Sequence, residues 1–228
     1  MNRKTVAIVP MRHDSERVPG KNYRPLGGRP LFCHIVDSLF DSGRVDQVVI
    51  DTDSETIRSI ARRECPQAIV IDRPKHLRDG RTSMNDVLLH TISQIPGDIY
   101  LQTHSTNPLL SAATIAKAVD QFARRMHEID SMFSVTRMQQ RLWDYYARPV
   151  NHNPANLVRT QDLSPVFGEN SCLYLFTQQT LELYKSRIGG RPAMFEIDKM
   201  EAWDIDEEID FTIAEMLYNG MNQQRRAA

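Results

Sequence analysis

Cysteine is scarce in this chain: Cys33, Cys65 and Cys172 are widely spaced and odd in number. They lack the paired spacing of a metal site and imply no disulfide framework, which suits reduced thiols in a cytoplasmic protein. Long apolar runs are missing too. No stretch approaches the ~18 residues of a membrane span, and the short apolar run near the N-terminus is too brief for a signal-peptide core. Nor does one sign of charge dominate, since 28 Lys and Arg against 29 Asp and Glu leave a formal net charge of −1. That balance removes the global electrostatic reason to expect nucleic acid or an anionic membrane as partner, so any basic cluster must act locally.

What is present begins with Val6-Ala7-Ile8-Val9, which reads as a buried parallel strand. The cluster Arg12-His13-Asp14-Ser15-Glu16-Arg17-Val18-Pro19-Gly20-Lys21-Asn22 then emerges at the strand's carboxyl end, where open α/β sheets bind ligands. Arg12 and Arg17 offer forked N–H donors, Lys21 a compact charge, and Ser15 with nearby amides can complete an anion cradle that would fit a triphosphate. A Walker loop is excluded, because Ser15 and Asn22 stand where that motif needs Gly and Ser or Thr. The competing reading is a solvated basic loop with no specific ligand.

At 228 residues, a single domain over 1–228 is expected. Strands at 45–50 and 68–71 alternate with helices from Leu31 and over 55–63, a rhythm diagnostic of a parallel sheet. Asp51-Thr52-Asp53 superficially resembles the metal motif of sugar-nucleotide glycosyltransferases, but an acidic cluster at a strand-to-helix junction reads more simply as a helix cap. A fourth strand, 98–101, delivers Gln102, His104 and Asn107 to the same edge, where neutral donors and acceptors suit a polyhydroxylated sugar. His104 is expected to hydrogen-bond in the pocket and not to act as a base. A helix over 112–126 and a strand over 131–135 follow, and then the rhythm stops. Residues 137–167 are aperiodic and aromatic-rich, which predicts a lid or an arm buried on another subunit. Beyond them a strand at 173–176, a helix over 178–187 and a strand around 194–197 lead to Trp203-Asp204-Ile205-Asp206, where alternation puts Asp204 and Asp206 on one face, able to share a hard cation. A helix cap with solvated acids is the alternative there.

The run Val9-Pro10-Met11-Arg12 with Ser15-Glu16-Arg17-Val18-Pro19-Gly20-Lys21-Asn22 resembles the nucleotide loop of acylneuraminate cytidylyltransferases, the CMP-sialic acid synthetases, and of the related CMP-Kdo synthetases. Met11 replaces the family's usual Ala. Further matches are Arg73-Pro74 before Thr82-Ser83, Gln102, Arg159 to Pro165, Glu169-Asn170 with Tyr174, and Asp204-Ile205-Asp206 with Asp210-Phe211. The departures are two extra residues and a missing terminal Arg in the stretch after Gln102, one extra residue after Arg159, and Ser171 in place of Gly, mild if the backbone there avoids positive φ.

The resemblance implies a three-layer α/β/α Rossmann-like nucleotidyltransferase fold with a mainly parallel sheet and an inserted dimerisation arm at 137–167. It implies CTP and a sialic-acid-like sugar acid as substrates, Mg²⁺ as cofactor and a homodimer. Met11, Arg12, Ser15, Arg17, Lys21, Asn22, Arg73 and Ser83 become expected nucleotide contacts, although Ser83 reads equally as a helix N-cap. Gln102, His104, Asn107, Asn170 and Tyr174 become the expected sugar site, with Arg159 reaching it from the partner protomer. Asp204 and Asp206 would hold the metal, and Arg12, Lys21 and Asp206 would carry the chemistry. A metal-dependent glycosyltransferase and a non-catalytic nucleotide-binding protein are the rival readings.

Overall fold

A computed structural model describes residues 3–227. The elements in chain order are β1 (Thr5–Met11), β2 (Pro25–Leu26), β3 (Arg29–Pro30), α1 (Leu31–Asp41), β4 (Gln47–Thr52), α2 (Glu55–Glu64), β5 (Ile69–Asp72), α3 (Met84–Gln94), β6 (Ile99–Thr103), α4 (Ala112–Arg125), β7 (Ser131–Met138), β8 (Val166–Phe176), α5 (Gln178–Tyr184), β9 (Pro192–Glu196) and α6 (Glu208–Ala227). Seven strands form one sheet in the order β5-β4-β1-β6-β8-β7-β9, in which only β8 runs against its neighbours. Among the described residues no helix is long and apolar enough to cross a membrane.

Strand alternation explains the three layers. Ala7, Val9 and Met11 of β1 face one side and pack with apolar residues of α1, α2 and α4, while Val6 and Ile8 face the other and pack with Leu88 and Ile92 of α3 and Leu181 of α5. Because β1, β4, β5 and β6 are parallel, their carboxyl ends emerge along one edge. A third apolar cluster lies outside the sheet. Val18, Leu26 and Leu31 meet Ile205, Phe211 and Ala214 there, so α6 is pinned against the loop that follows β1. Gly27 permits this approach: at φ 56 it turns the β2–β3 hairpin, and a Cβ would collide with the Tyr218 ring.

The expected parallel rhythm is met through β6, and the structure then departs from it. The strand predicted at 173–176 is the end of the eleven-residue β8, whose first part pairs antiparallel with the outer half of β7. The ends of the predicted aperiodic segment 137–167 are therefore strand, and residues 139–165 lie between them. The helix predicted over 178–187 stops at Tyr184, because Lys185 takes a left-handed conformation at φ 50. Between Phe133 and Val135 the β7–β8 register shifts, and Ser171 in that irregularity has φ 57. The left-handed backbone that Gly would favour is thus retained with a serine, at a cost of about 1–2 kcal/mol.

Asp51 ties the β4–β5 edge to α3. It is fully buried inside β4, accepting from Arg73 Nε at 2.6 Å and from Thr91 Oγ1 at 2.9 Å, while Arg73 Nη2 donates to the Asp51 carbonyl at 3.1 Å. Removing one member of such a pair strands a buried charge, so Asp51→Asn should lower unfolding free energy by about 3–5 kcal/mol in urea denaturation. A loss below about 1 kcal/mol would show that the pair does not hold the edge together.

Candidate active site

The loop after β1 is built by local hydrogen bonds, and its cations are not held by one another. Asn22 Nδ2 donates to the Arg12 carbonyl at 2.8 Å and Asn22 Oδ1 accepts from Ser105 Oγ at 2.7 Å, so one buried amide clamps the loop to the segment after β6. The His13 amide donates to Asp53 Oδ1 at 2.8 Å. Gly20, at φ 66, turns the chain into the short helical turn Lys21–Tyr23, and a Cβ there would press on the Tyr23 ring at 3.0 Å. That turn aims the buried Lys21 side chain back across the loop.

Residues 203–206 meet it from the other end of the chain. Lys21 Nζ donates to the Ile205 carbonyl, and the Ile205 amide donates to the Thr106 carbonyl at 3.0 Å. With Ile205 buried, Asp204 and Asp206 project together into a cavity of about 880 Å³. Asp206 Oδ1 lies 2.7 Å from Arg17 Nη2 and 3.8 Å from Lys21 Nζ. Its amide and that of Glu207 donate to Asp210 Oδ2 at 3.0 and 2.8 Å, which sets the start of α6. Burial pushes the Lys21 pKa down against the attraction of Asp206 and Asp204, and burial pushes the Asp204 carboxyl up.

The expected nucleotide residues divide into three groups. Met11, Arg12, Ser15, Arg17, Lys21 and Asn22 all line the cavity, and Arg12 Nη1 passes so close to Gly80 that a Cβ there would lie 3.0 Å away. Arg73 also reaches the cavity, but it is buried and its Nε and Nη2 are committed to Asp51, leaving Nη1 as the spare donor. Ser83 caps α3 by accepting from the Asn85 amide at 3.2 Å. Asp51 and Asp53 do not form a metal pair: Asp51 is taken by Arg73 and Thr91, Asp53 by the loop, and Ser54 caps α2.

The expected sugar residues lie along the ends of β6 and β8. Gln102 is buried opposite Tyr174, and its Oε1 accepts from Arg187 Nη1. His104 lines the cavity with its Nε2 buried and unpartnered, and Asn107 Oδ1 is likewise unpartnered while its Nδ2 donates to the Trp203 carbonyl at 3.3 Å. Asn170 is engaged by Ser134 and Thr136, so it shapes the β7–β8 irregularity. Tyr174 donates its hydroxyl to Glu169. Arg159 lies apart, exposed in the 139–165 segment and ion-paired to Asp162 at 2.6 Å.

Sequence reasoning missed Arg78, Asp79, Gly80 and Arg81, which line the cavity opposite the β1 loop. Their clustering after Arg73-Pro74, with a turn glycine among the charges, was the available signal. Arg187, expected inside a helix, instead follows α5 and donates to Gln102 without lining the cavity itself.

A Mg²⁺ ion fits the carboxylate pair. Asp204 Oδ1 is buried without a partner, and the Asp206–Arg17 contact is a half-exposed pair that a ligand can displace. Among the described residues no cluster of three or more His, Cys, Asp or Glu side chains could hold a metal. Two carboxylates supplemented by phosphate oxygens and water is the pattern this hard cation favours.

Comparison with known proteins follows the geometry. A family profile described as cytidylyltransferase matches residues 6–226. An N-acylneuraminate cytidylyltransferase of Oncorhynchus mykiss is 26% identical over 220 residues, which cover 93% of this chain and 50% of the relative. The pseudaminic acid cytidylyltransferase of Campylobacter jejuni is 24% identical over 230 residues, covering 94% and 96%. The chain therefore spans about half the length of the first and nearly all of the second. A solved CMP:2-keto-3-deoxy-manno-octonic acid synthetase complexed with CTP superposes with a TM-score of 0.73 at 15% identity, covering 96% of this chain and 99% of that one. A 4-diphosphocytidyl-2C-methyl-D-erythritol synthase does so with a TM-score of 0.68 at 14% identity, covering 95% and 99%. At such identities the two structures establish the fold.

His104 carries a pH signature. Burial, then the nearby Arg187 and Lys21 charges, push its pKa from 6.5 down to about 4. Between those values the unfolded chain binds a proton that the folded chain does not. Stability is thus fully present above pH 6.5 and falls toward pH 4, by at most about 1.4 kcal/mol per pH unit. His104→Gln should flatten that slope, and the wild-type imidazole should titrate near pH 4 by NMR; a midpoint above 6 would mean that the ring is solvated.

Proposed function

Because the chain belongs to the cytidylyltransferase family, we propose that it couples CTP to a 2-keto-3-deoxy sugar acid of the nonulosonic type, forming the CMP-sugar and pyrophosphate. The observation that carries this reading is the meeting of Arg17 and Lys21 with Asp204 and Asp206, from opposite ends of the chain, in one cavity at the sheet's carboxyl edge. The acid's class is supported by two relatives named for N-acylneuraminate and pseudaminic acid, together with the neutral Gln102–His104–Asn107 edge.

In the reaction the anomeric hydroxyl oxygen attacks the α-phosphorus of CTP, the bond from that phosphorus to the β-phosphate oxygen breaks, and pyrophosphate leaves. Arg12, Arg17 and Lys21 hold the phosphates and stabilise charge as it moves onto the leaving group. Lys21 is the best placed for this, because its amine is buried and fixed by the Ile205 carbonyl, so it need not reorganise. The Asp206 carboxylate, or a water held by the metal it would bind, would take the hydroxyl proton. Asp204 and Asp206 would hold Mg²⁺, which when bound supplies charge neutralisation between the phosphates and the carboxylates.

Pyrophosphate release from CTP across a panel of sugar acids tests the reading. Lys21→Ala should lower kcat about a hundredfold or more at saturating CTP, and Asp204→Asn or Asp206→Asn should lower it comparably and weaken the Mg²⁺ dependence. Release of pyrophosphate at near wild-type rates by these variants would remove them from the mechanism.

The 139–165 segment supports a homodimer in this proposal. Tyr145 and Leu157 are 95% and 78% exposed, and Trp143 and Tyr146 are exposed too, the residue types that interfaces favour. The segment also carries Arg159, which would join the sugar site of the partner subunit. Mixing inactive Lys21→Ala and Arg159→Ala chains should then restore part of the activity, because a heterodimer holds one site with both residues intact. Demonstrated subunit exchange with no regained activity would refute a shared site.

A further inference from the structure

Arg187 stands in a position no ion pair explains. It follows α5, in the stretch released from the helix by the left-handed Lys185, and its amide donates to Asn85 Oδ1 at 3.1 Å. Its guanidinium lies 3.5 Å from the centroid of the Tyr174 ring and donates through Nη1 to Gln102 Oε1. Both partners are neutral. Most arginines of the cavity, among them Arg17, Arg73, Arg78 and Arg81, close on a carboxylate, whereas among the described residues no acid lies within ion-pair distance of Arg187. Glu169 acts on it only from beyond Tyr174, whose hydroxyl donates to that carboxylate.

A half-buried arginine with neutral partners has surrendered water without gaining an anion. Burial accordingly draws its pKa below the usual arginine range, and its charge is the principal neighbouring charge disfavouring protonation of His104, a residue of the cavity wall. The ring and the amide fix the plane of the guanidinium and leave other N–H donors of the fork available, the geometry that recognises a carboxylate bidentately. The surrounding groups are Gln102, His104 and Tyr174, and of these His104 lines the cavity.

We propose that Arg187 is the anchor, within the same subunit, for the carboxylate of the sugar acid. The inference rests on the functional reading above and deepens it: Gln102 and Tyr174 hold the guanidinium so that an acid at the sugar's anomeric carbon is drawn to the β6–β8 edge, with the anomeric hydroxyl turned toward the β1 loop. The arm's Arg159 would close the site from outside.

The test compares wild type with Arg187→Met, which keeps the bulk of the stem without the charge, and Arg187→Lys, which keeps the charge without the fork. Kinetics of pyrophosphate release should show KM for the sugar acid raised about thirtyfold or more in Arg187→Met, with KM for CTP within about threefold of wild type and partial recovery in Arg187→Lys. Saturation-transfer NMR with N-acetylneuraminate and its methyl ester gives a readout free of turnover. Wild type should prefer the acid, and Arg187→Met should bind acid and ester alike. Unchanged sugar KM, or equal losses for CTP and sugar, overturns the assignment while leaving the enzymatic reading intact. Arg187-dependent acid binding without any pyrophosphate release sinks the enzymatic reading and keeps the anchor, and no preference of wild type for acid over ester overturns the anchor outright.

Discussion

Ile205 and Val18 share one small apolar cluster, and on that packing the active-site geometry depends. Neither residue touches the main core, yet both are fully buried, each burial contributing about 2 kcal/mol. Ile205 sits between the two carboxylates and Val18 sits inside the cationic loop, so packing the apolar pair forces the charged residues flanking them to face each other. The Lys21 hydrogen bond to the Ile205 carbonyl and the Ile205 amide's bond to Thr106 fix the register. Like charges within each segment are thereby offset by opposite charges from the other, which lets Lys21 be buried.

The same logic separates what was legible in the sequence from what was not. Strands β1, β4, β5 and β6 are short runs rich in apolar residues bounded by polar turns, and their helices carry apolar stripes, so their parallel arrangement could be read directly. The reversal at β8 could not. Val166 to Asn170 mixes aromatic, glycine and charged residues, and it becomes strand only because the outer half of β7 offers it an unpaired edge. Tertiary pairing overrode local composition there. The early end of α5 has a similar origin, since Lys185 adopts a backbone that its residue type disfavours and nothing in the helical pattern announces it.

Site residues were legible in proportion to how local their roles are. The β1 loop reads as an anion cradle because its cations, turn and preceding strand are contiguous. The Asp204–Asp206 pair was visible through alternation, but its meeting with Lys21 across 184 positions depends on the apolar cluster that Val18 and Ile205 share. Arg73 was expected at the nucleotide and does border the cavity, but its commitment to Asp51 follows from the depth of β4, which runs two residues further than its apolar pattern indicates. Arg187 carried no sequence signal at all.

The cavity's charges sort further by how readily a ligand could recruit them. Arg17–Asp206 and Arg81–Asp79 are exposed, solvent-screened pairs, so an incoming triphosphate can take over the cations and leave the Asp206 carboxylate to a metal. Arg73–Asp51 is fully buried, and separating it would strand both charges, so it is scaffold that lends only a spare donor. Among the described residues neither Arg12 nor Arg187 has an acid within ion-pair distance, and of the two only Arg12 lines the cavity. Arg12 borders the cavity and Arg187 acts on its His104 wall, so under the proposed function the two would answer two separate anionic groups. A triphosphate and a sugar carboxylate meet that requirement, whereas a single nucleotide ligand would leave one of them unanswered.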